Sequence, residues 1–159
     1  MIQEVEGDLL ESRCRSIAHG VAPDEHFDSG LALQLREAWP ALAKDYRHWM
    51  HTHHAEPGRL WTWTTPDGRR IVNLITHGAT SHKSNAGRAQ LDFVNQSLRV
   101  LRAEITREEM TSLALPRLAT GTGGLPWPEV KSLIEHHLGD LQIPIFIYAT
   151  YKKGVAAAE

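Results

Sequence analysis

The sequence predicts a single α/β domain in which helices pack against a sheet. Strand-like and helix-like segments alternate along the 159 residues, which is typical of an α/β sandwich. Near the end of the chain, five of the six residues of Ile143–Tyr148 are apolar or aromatic, as expected for a strand that is covered on both faces. Apolar residues also recur at helical spacing within 88–102, namely Leu91, Val94, Leu98 and Leu101, and predict an amphipathic helix there.

The first third of the chain is expected to form two strands and two helices. Its opening residues alternate between apolar and polar side chains up to Gly7-Asp8, as in a half-buried strand. Beyond residue 30 most residues favour helix, and Pro40 interrupts it. The expected elements are strands at Ile2–Glu6 and Ser16–His19, a loop at Gly20–Gly30, and helices from Leu31 to Trp39 and over Ala41–His53.

A hairpin and further strands and helices follow. Thr65-Pro66-Asp67-Gly68 has the residue types of a hairpin turn and separates two segments that are rich in strand formers. Pro128 and Gly139 bracket a segment in the way that proline begins and glycine ends a helix. The expected elements are strands at Leu60–Thr64, Arg70–Thr76, Ser112–Leu115 and Ile143–Tyr148, a polar loop at Gly78–Gly87, and a helix over Pro128–Gly139.

The composition is that of an ordinary globular domain. Hydrophobic residues make up 42% of the chain and charged residues 23%, and the length suffices for one core. We therefore expect one domain over residues 1–150, followed by a frayed tail over residues 151–159. The formal net charge of −2 excludes a globally basic nucleic-acid binder, although a local basic patch stays open.

Three patterns bear on the compartment and on metal binding. No segment has the length and apolarity of a membrane span, and the first residues lack the pattern of a signal peptide. Cys14 is the single cysteine, which fits a reducing compartment, so we expect a cytoplasmic protein without a membrane partner. His51-Thr52-His53-His54 is interpreted as a solvated helix end, because its spacings do not present several ligands on one helix face.

Three loops are expected beyond the carboxyl ends of the strands, where ligands bind in open α/β sheets. Arg117–Trp127 holds three glycines in four positions just before a helix, so consecutive N–H groups can approach a phosphate; a flexible turn is the alternative. It lacks the Gly-Lys-Ser/Thr sequence that closes a P-loop. The other two loops are Gly20–Gly30 and Ser81–Asn85, each of which alone is an ordinary connection.

Short blocks in these loops and strands share an order and spacing along nearly the whole chain. The blocks are Gly7-Asp8-Leu9-Leu10, Ser16-Ile17-Ala18-His19, Ser29-Gly30-Leu31-Ala32, Ser81-His82-Lys83, and Leu115-Pro116-Arg117 through Leu125-x-Trp127. Together they resemble the macrodomains, which bind ADP-ribose. The likeness is greatest to the branch of the terminal ADP-ribose–protein glycohydrolase and next to the DarG antitoxin macrodomains. It implies a three-layer α/β/α sandwich with a mixed central sheet.

The resemblance implies which residues bind ADP-ribose. Asp8 would accept a hydrogen bond from the adenine amine near the Leu9 N–H, with a turn or helix-cap aspartate as the alternative. Tyr148 would lie near the adenine, although packing of its ring in the core is an equal alternative. Two sets of residues are implied along the diphosphate and the distal ribose: Ser29, Gly30 and Leu31 on one side, and Thr120, Gly121, Thr122, Gly123 and Gly124 on the other. The expected binding set also includes His19, Arg117 and Ala119.

Lys83 matches the catalytic lysine of the glycohydrolase branch, which attacks the anomeric carbon of the distal ribose. Only an unprotonated amine can attack, so the pKa of Lys83 must lie below its ordinary value of about 10.4, through burial or a cationic neighbour such as His82 or Arg117. Gly123 stands where this branch has a catalytic aspartate. DarG-like members also have glycine there, so a general base stays unassigned. Asp28 replaces a usual glycine. Its carboxylate either opposes the diphosphate modestly, which is the preferred interpretation because Ser29-Gly30 remains, or takes an acid/base role at the distal ribose.

The resulting hypothesis is a hydrolase that removes mono-ADP-ribose from acidic protein side chains or from a nucleic-acid base, with Lys83 as the nucleophile. Two alternatives stay open. One is a reader module that binds ADP-ribose without turnover, and the other is a DarG-like DNA ADP-ribosyl glycohydrolase. The expected partners are ADP-ribose and mono-ADP-ribosylated protein or DNA. We expect no cofactor, no metal and a monomer.

Overall fold

The fold is taken from a computed structural model that describes residues 1–79 and 88–159. These residues form six strands, four α-helices and one short 3-10 helix at Leu9–Glu11. The strands are β1 (Ile2–Gly7), β2 (Ser16–Val21), β3 (Leu60–Thr64), β4 (Arg70–Ile75), β5 (Leu113–Pro116) and β6 (Ile145–Tyr151). The helices are α1 (Gly30–Ala38), α2 (Pro40–His53), α3 (Leu91–Arg107) and α4 (Trp127–Leu138).

The six strands form one mixed sheet in the order β1-β6-β5-β2-β4-β3. Five of them run parallel, and β3 pairs antiparallel with β4 at one edge through the predicted hairpin. Gly68 closes that hairpin with an N–H bond of 2.9 Å to the Thr65 carbonyl at a φ of 89°, a conformation that favours glycine. Because β2, β4 and β5 are parallel, their carboxyl ends meet at the same edge of the sheet.

Helices cover both faces of the sheet, which confirms the predicted three-layer sandwich. Side chains alternate along β6: Ile145 and Ile147 lie in the apolar cluster that contains α3 and α4, whereas Phe146 and Tyr148 lie in the cluster that contains α1 and α2. This double coverage explains why the sequence of β6 is apolar almost without interruption.

Several elements differ in their bounds from the sequence prediction, and the two largest shifts at the carboxyl ends have a physical reason. β6 begins at Ile145 because Pro144 has no N–H for a neighbouring strand, and it extends to Tyr151 because its pairing with β1 continues that far. The helix predicted over 88–102 runs to Arg107, since its apolar face continues to the buried Ile105.

The predicted fraying of the tail is wrong, because residues 152–159 pack against the first strand and the loop after it. The Gly154 N–H donates to the Asp8 carboxylate at 2.9 Å. The Glu159 carboxylate accepts hydrogen bonds from the Tyr148 hydroxyl at 2.6 Å and from residues of the segment after the 3-10 helix. The partners of the tail are distant in sequence, so the composition of the tail does not reveal them. The domain boundary near residue 150 stays a prediction.

Candidate functional site

A cleft of about 580 Å³ opens at the edge of the sheet where the parallel strands end. We call it the polar chamber; its walls are the segments 19–32 and 116–123 together with His77. A smaller cavity of about 380 Å³, which we call the tyrosine chamber, adjoins it and is lined by Tyr148 and Tyr151. Gly30, Leu31 and Pro116 line both chambers. Each volume lies within the range of about 300–1,000 Å³ that is usual for small-molecule sites.

The predicted glycine-rich loop forms one wall of the polar chamber. Arg117, Ala119 and residues 121–123 line it. Thr120 and Gly124 belong to the same loop but do not line the chamber. The structure therefore brings most of the predicted loop residues to one cavity, and their role in binding a ligand stays a prediction.

Hydrogen bonds inside this loop leave its inner N–H groups available. The Leu125 N–H donates to the Ala119 carbonyl and the Gly124 N–H donates to the Gly121 carbonyl, both at 3.1 Å. Within 1–79 and 88–159, no acceptor takes the backbone N–H groups of residues 120–123. An atom added as a Cβ at Gly121 would meet nothing within 4 Å, so a ligand can approach the backbone closely there. Such a run of free N–H groups suits an anion.

Gly123 is a position where the surrounding atoms leave no room for a side chain. An added Cβ would lie 2.5 Å from the Ala119 carbonyl oxygen, 2.9 Å from the Ala89 Cβ and 2.9 Å from the His77 Nε2. The first of these neighbours is backbone and the second is a buried alanine, so neither can move aside easily. The aspartate that the resemblance implies at this position in the glycohydrolase branch therefore does not fit this backbone.

The opposite wall of the polar chamber is an anchored loop. β2 continues to Val21 instead of ending at residue 19, because its pairing with β4 continues, and the loop begins at Ala22. The Glu25 carboxylate accepts from the N–H groups of Ala22 at 3.2 Å and Phe27 at 3.1 Å. Phe27 is buried, and its ring packs edge-on against that of Tyr46, whose hydroxyl donates to the Ala22 carbonyl at 2.8 Å.

This anchoring presents three exposed residues, Asp28, Ser29 and Gly30, to the polar chamber. Gly30 begins α1 with a φ of 58°, and an added Cβ there would meet no atom within 4 Å. The first turn of α1 therefore lines the chamber, and the positive end of a helix dipole favours an anion at such a place. The exposed Asp28 carboxylate lies at the same rim, and its acid/base role stays a prediction.

His19, which belongs to the predicted binding set, lines the polar chamber but is almost fully buried, and its role in binding stays a prediction. Its Nε2 lies 2.6 Å from the Asn73 Oδ1. Burial lowers the pKa of His19 to about 4, although the Asn73 bond acts in the opposite direction. The ring is therefore neutral near pH 7 and held by β4.

His77 is a residue of the polar chamber that the sequence prediction missed. It is half-buried, follows β4 by two residues, and its Nδ1 lies 2.8 Å from the Thr76 Oγ1. Burial lowers the pKa of His77 below its ordinary value. One signal was available in the sequence, because residues directly after a buried parallel strand lie at the ligand-binding edge of an α/β sheet.

The tyrosine chamber contains one predicted and one missed aromatic residue. Tyr148 is only 6% exposed, and burial, together with the hydrogen bond to Glu159, raises the pKa of Tyr148. Tyr151, which the sequence prediction did not include, is 55% exposed, and its hydroxyl accepts from the Gln34 amide at 3.3 Å. Leu9, also predicted, lines the same chamber. Tyr151 thus offers the larger free ring surface.

Asp8 lies outside both chambers in the described part of the chain. Its carboxylate accepts from the Leu10 N–H at 3.1 Å and from the Gly154 N–H at 2.9 Å, so the helix-cap alternative is confirmed. A role toward adenine stays a prediction. Lys83, with the rest of Ser81–Asn85, lies outside the described residues.

Two kinds of feature are absent from residues 1–79 and 88–159. None of their helices is long and apolar enough to cross a membrane. No group of three or more histidine, cysteine, aspartate or glutamate side chains among them is arranged to hold a metal ion.

The fold and the two chambers define an α/β sandwich with a cleft suited to a phosphate-containing ligand. No protein-family model matches this chain. It is 30% identical over 152 residues to a DNA ADP-ribosyl glycohydrolase of Thermus aquaticus, covering 93% of this chain and 41% of that protein. It is 26% identical over 148 residues to the Homo sapiens ADP-ribose glycohydrolase OARD1, covering 92% and 90% of the two chains.

A solved structure has the same fold as this chain. The macrodomain of Thermus aquaticus DarG superposes with a TM-score of 0.83 at 29% identity, covering 94% of this chain and 98% of that one. The chain therefore belongs to the macrodomain family. It spans about two fifths of the length of the Thermus glycohydrolase, 41%, so it corresponds to one part of that protein.

Proposed function

We propose that this domain binds ADP-ribose and hydrolyses the bond between ADP-ribose and an acceptor. The observation that carries the proposal is the pair of adjoining chambers, one walled by free N–H groups and the other by tyrosines. ADP-ribose joins an adenosine to a second ribose through a diphosphate, so it needs an anion-binding wall beside an aromatic surface. The names of the two curated relatives, both ADP-ribose hydrolases, support the same ligand.

The diphosphate would occupy the polar chamber. Residues 121–123 and the first turn of α1 line it, and the N–H groups of residues 121–123, which have no acceptor in the described part of the chain, would supply donors to the diphosphate. The Arg117 guanidinium lies 5.5 Å from the centre of the Trp127 ring, which holds a positive charge near the loop. The Glu25 carboxylate is already bonded to backbone N–H groups, whereas Asp28 opposes the anion at the rim.

The adenine would occupy the tyrosine chamber. Its exposed ring, Tyr151, is held by the Gln34 amide and can stack on a base. Stacking of a base on an aromatic side chain contributes about 1–3 kcal/mol, so this ring is a main contributor to affinity in the proposal. The distal ribose would then lie at the opposite end of the polar chamber, near His77.

The reaction breaks the bond at the anomeric carbon of the distal ribose. We propose that the acceptor is an acidic protein side chain or a nucleic-acid base, because the human relative is named an ADP-ribose glycohydrolase and the Thermus relative a DNA ADP-ribosyl glycohydrolase. Lys83, the nucleophile that the resemblance implies, stays a prediction. Release by Lys83→Ala at the wild-type rate would remove Lys83 from the mechanism.

A reader without turnover is the second candidate. Gly123 favours it, because no carboxylate fits where the glycohydrolase branch is expected to carry one. The two candidates predict the same binding and differ only in the release of ADP-ribose.

The test uses two substrates, a mono-ADP-ribosylated protein with a glutamate linkage and mono-ADP-ribosylated single-stranded DNA. Free ADP-ribose is quantified over time, and binding of ADP-ribose is measured by calorimetry. Release over many turnovers supports a hydrolase, and the faster substrate identifies the acceptor class. Binding without release from either substrate identifies a reader. Absence of both binding and release would refute the proposal.

A further inference from the structure

We propose that His77 is a catalytic residue of the polar chamber, acting as the general base toward the water that attacks the anomeric carbon. The proposal rests on the hydrolase function proposed above. The glycine-rich loop contains no carboxylate or histidine, because glycine stands at position 123. His77 would supply the base that this loop lacks.

The His77 ring occupies a slot that two glycines keep open. A Cβ added at Gly123 would lie 2.9 Å from the His77 Nε2, and one added at Gly20 would lie 3.4 Å from the His77 Cε1 and 2.5 Å from the Thr76 Oγ1. Side chains at these two positions would therefore displace the imidazole or its hydroxyl partner. Glycine at both positions therefore leaves room for the imidazole beside the glycine-rich loop.

The contact with Thr76 fixes which nitrogen faces the chamber. Thr76 is fully buried, and its Oγ1 lies 2.8 Å from the His77 Nδ1. That bond holds the ring and leaves Nε2 toward Gly123 and the free N–H groups of the glycine-rich loop. The tautomer with hydrogen on Nδ1, which donates to Thr76, leaves a lone pair on Nε2 for a proton.

The other titratable groups of the polar chamber are less suited to this task. His19 is buried and bonded to Asn73, and the Glu25 carboxylate is bonded to two backbone N–H groups. His26 and Asp28 lie on the exposed rim, where no described contact fixes their orientation toward the loop. His77 alone, among the described titratable residues, combines partial burial, a fixed ring and a nitrogen that faces the glycine-rich loop.

The step balances as a hydrolysis. The His77 Nε2 takes a proton from water, the water oxygen forms a bond to the anomeric carbon, and that carbon's bond to the group it carries breaks. The electron pair leaves with that group, which is a carboxylate when the acceptor is an acidic side chain. Water must attack this carbon whether it still carries the acceptor or is held by a lysine, so the role does not depend on the assignment of Lys83.

An imidazole must be neutral to accept a proton, so the rate should fall on the acidic side of the pKa of His77. Burial lowers that pKa, which keeps the imidazole neutral at pH 7. The described charged and titratable groups that face it across the chamber are His19 from β2, Glu25, His26 and Asp28 from the loop after β2, and Arg117 from the loop after β5.

The experiment compares wild type, His77→Gln and the matched surface variant His48→Gln, whose side chain is exposed on α2. Gln keeps a hydrogen-bonding group near the position of Nε2 but cannot titrate. Release of ADP-ribose is measured from pH 4.5 to pH 8, with thermal unfolding and ADP-ribose affinity measured on the same samples. Loss of a general base is expected to lower kcat by about 10²- to 10⁴-fold and to remove the acidic limb of the pH–rate profile.

The outcomes separate this role from the proposed function. A folded His77→Gln protein that binds ADP-ribose, releases it far more slowly and lacks the acidic limb supports the role, with His48→Gln behaving as wild type. A His77→Gln protein that keeps the acidic limb refutes the role, whatever its rate, while wild-type release still supports the hydrolase. A wild-type protein that releases nothing refutes the hydrolase function and this role with it.

Discussion

Replacing Gly123 by alanine tests the crowding in the glycine-rich loop. The added Cβ would lie 2.5 Å from the Ala119 carbonyl oxygen and 2.9 Å from the Ala89 Cβ, so the backbone must shift. Overpacking of this kind costs about 1–3 kcal/mol, and the loss of glycine's freedom in the unfolded chain offsets about 0.4–1 kcal/mol. The free energy of unfolding should therefore fall by about 1–2 kcal/mol, which lowers Tm by about 2–8 °C in a domain of this size.

Gly121→Ala is the matched control, two positions away in the same loop. Its added Cβ would meet no atom within 4 Å, so the free energy of unfolding should change by less than about 0.5 kcal/mol. Gly121 lines the polar chamber, however, and a methyl group there would hold a diphosphate away from the backbone. The loss of one hydrogen bond to a charged group costs about 1.5–3 kcal/mol, or about 10- to 150-fold in Kd.

Urea unfolding measures the stability of the two variants, and calorimetry measures their affinity for ADP-ribose. The expected pattern is lower stability in Gly123→Ala and lower affinity at unchanged stability in Gly121→Ala. Unchanged stability in Gly123→Ala would show that the loop accommodates a side chain there. Wild-type affinity in Gly121→Ala would show that this loop does not hold the diphosphate.

Three further perturbations have defined outcomes. The pKa of His19 is about 4 in the folded protein and 6.5 in the unfolded chain, so the unfolded chain binds more protons between these pH values. The free energy of unfolding should therefore fall by about 3 kcal/mol as the pH drops from about 6.5 to about 4. Urea unfolding of His19→Gln should show a smaller loss, and an equal loss would contradict this account. Tyr151→Ala should weaken ADP-ribose binding by about 1–3 kcal/mol in calorimetry, and an unchanged Kd would exclude stacking on this ring. Tyr148→Phe should lower the free energy of unfolding by about 1.5 kcal/mol, because the Glu159 carboxylate loses a hydroxyl donor; a neutral result in urea unfolding would mean that the tail is not docked.

The layered fold was predictable because its signals are local. Strand and helix periods appear within short windows, and the apolar run of β6 indicates a strand covered on both faces. The bounds were less predictable where pairing with another strand decides them. β2 continues to Val21 only because β4 continues beside it, and neither Gly20 nor Val21 signals this in the sequence.

The candidate site also contains residues that a local motif reveals and residues that only the fold reveals. The glycine-rich loop was visible because three of its residues are glycine within four positions. His77 and Tyr151 were not predicted, since each is a single residue at a strand end without a surrounding motif. Their position becomes informative only when the parallel order of the sheet brings the strand ends to one cleft.

Two features depend on contacts that the sequence does not express. Gly123 is crowded by Ala89 and His77, which are more than thirty residues away in the chain. The tail is held by Asp8 and Tyr148 through Glu159 and Gly154, so a segment rich in alanine and lysine is ordered by partners elsewhere. A tertiary contact of the same kind adds the Gly154 N–H to the Asp8 carboxylate, which already caps the 3-10 helix locally through the Leu10 N–H.

The most direct test of the central claim, that ADP-ribose occupies both chambers, is a titration of the ¹⁵N-labelled protein with ADP-ribose followed by NMR. We predict saturable shifts at the amides of residues 119–123, at Gly30 and at Tyr151, with little change on the outer faces of α2 and α4. Saturation of the protein while these amides remain unshifted would contradict the claim.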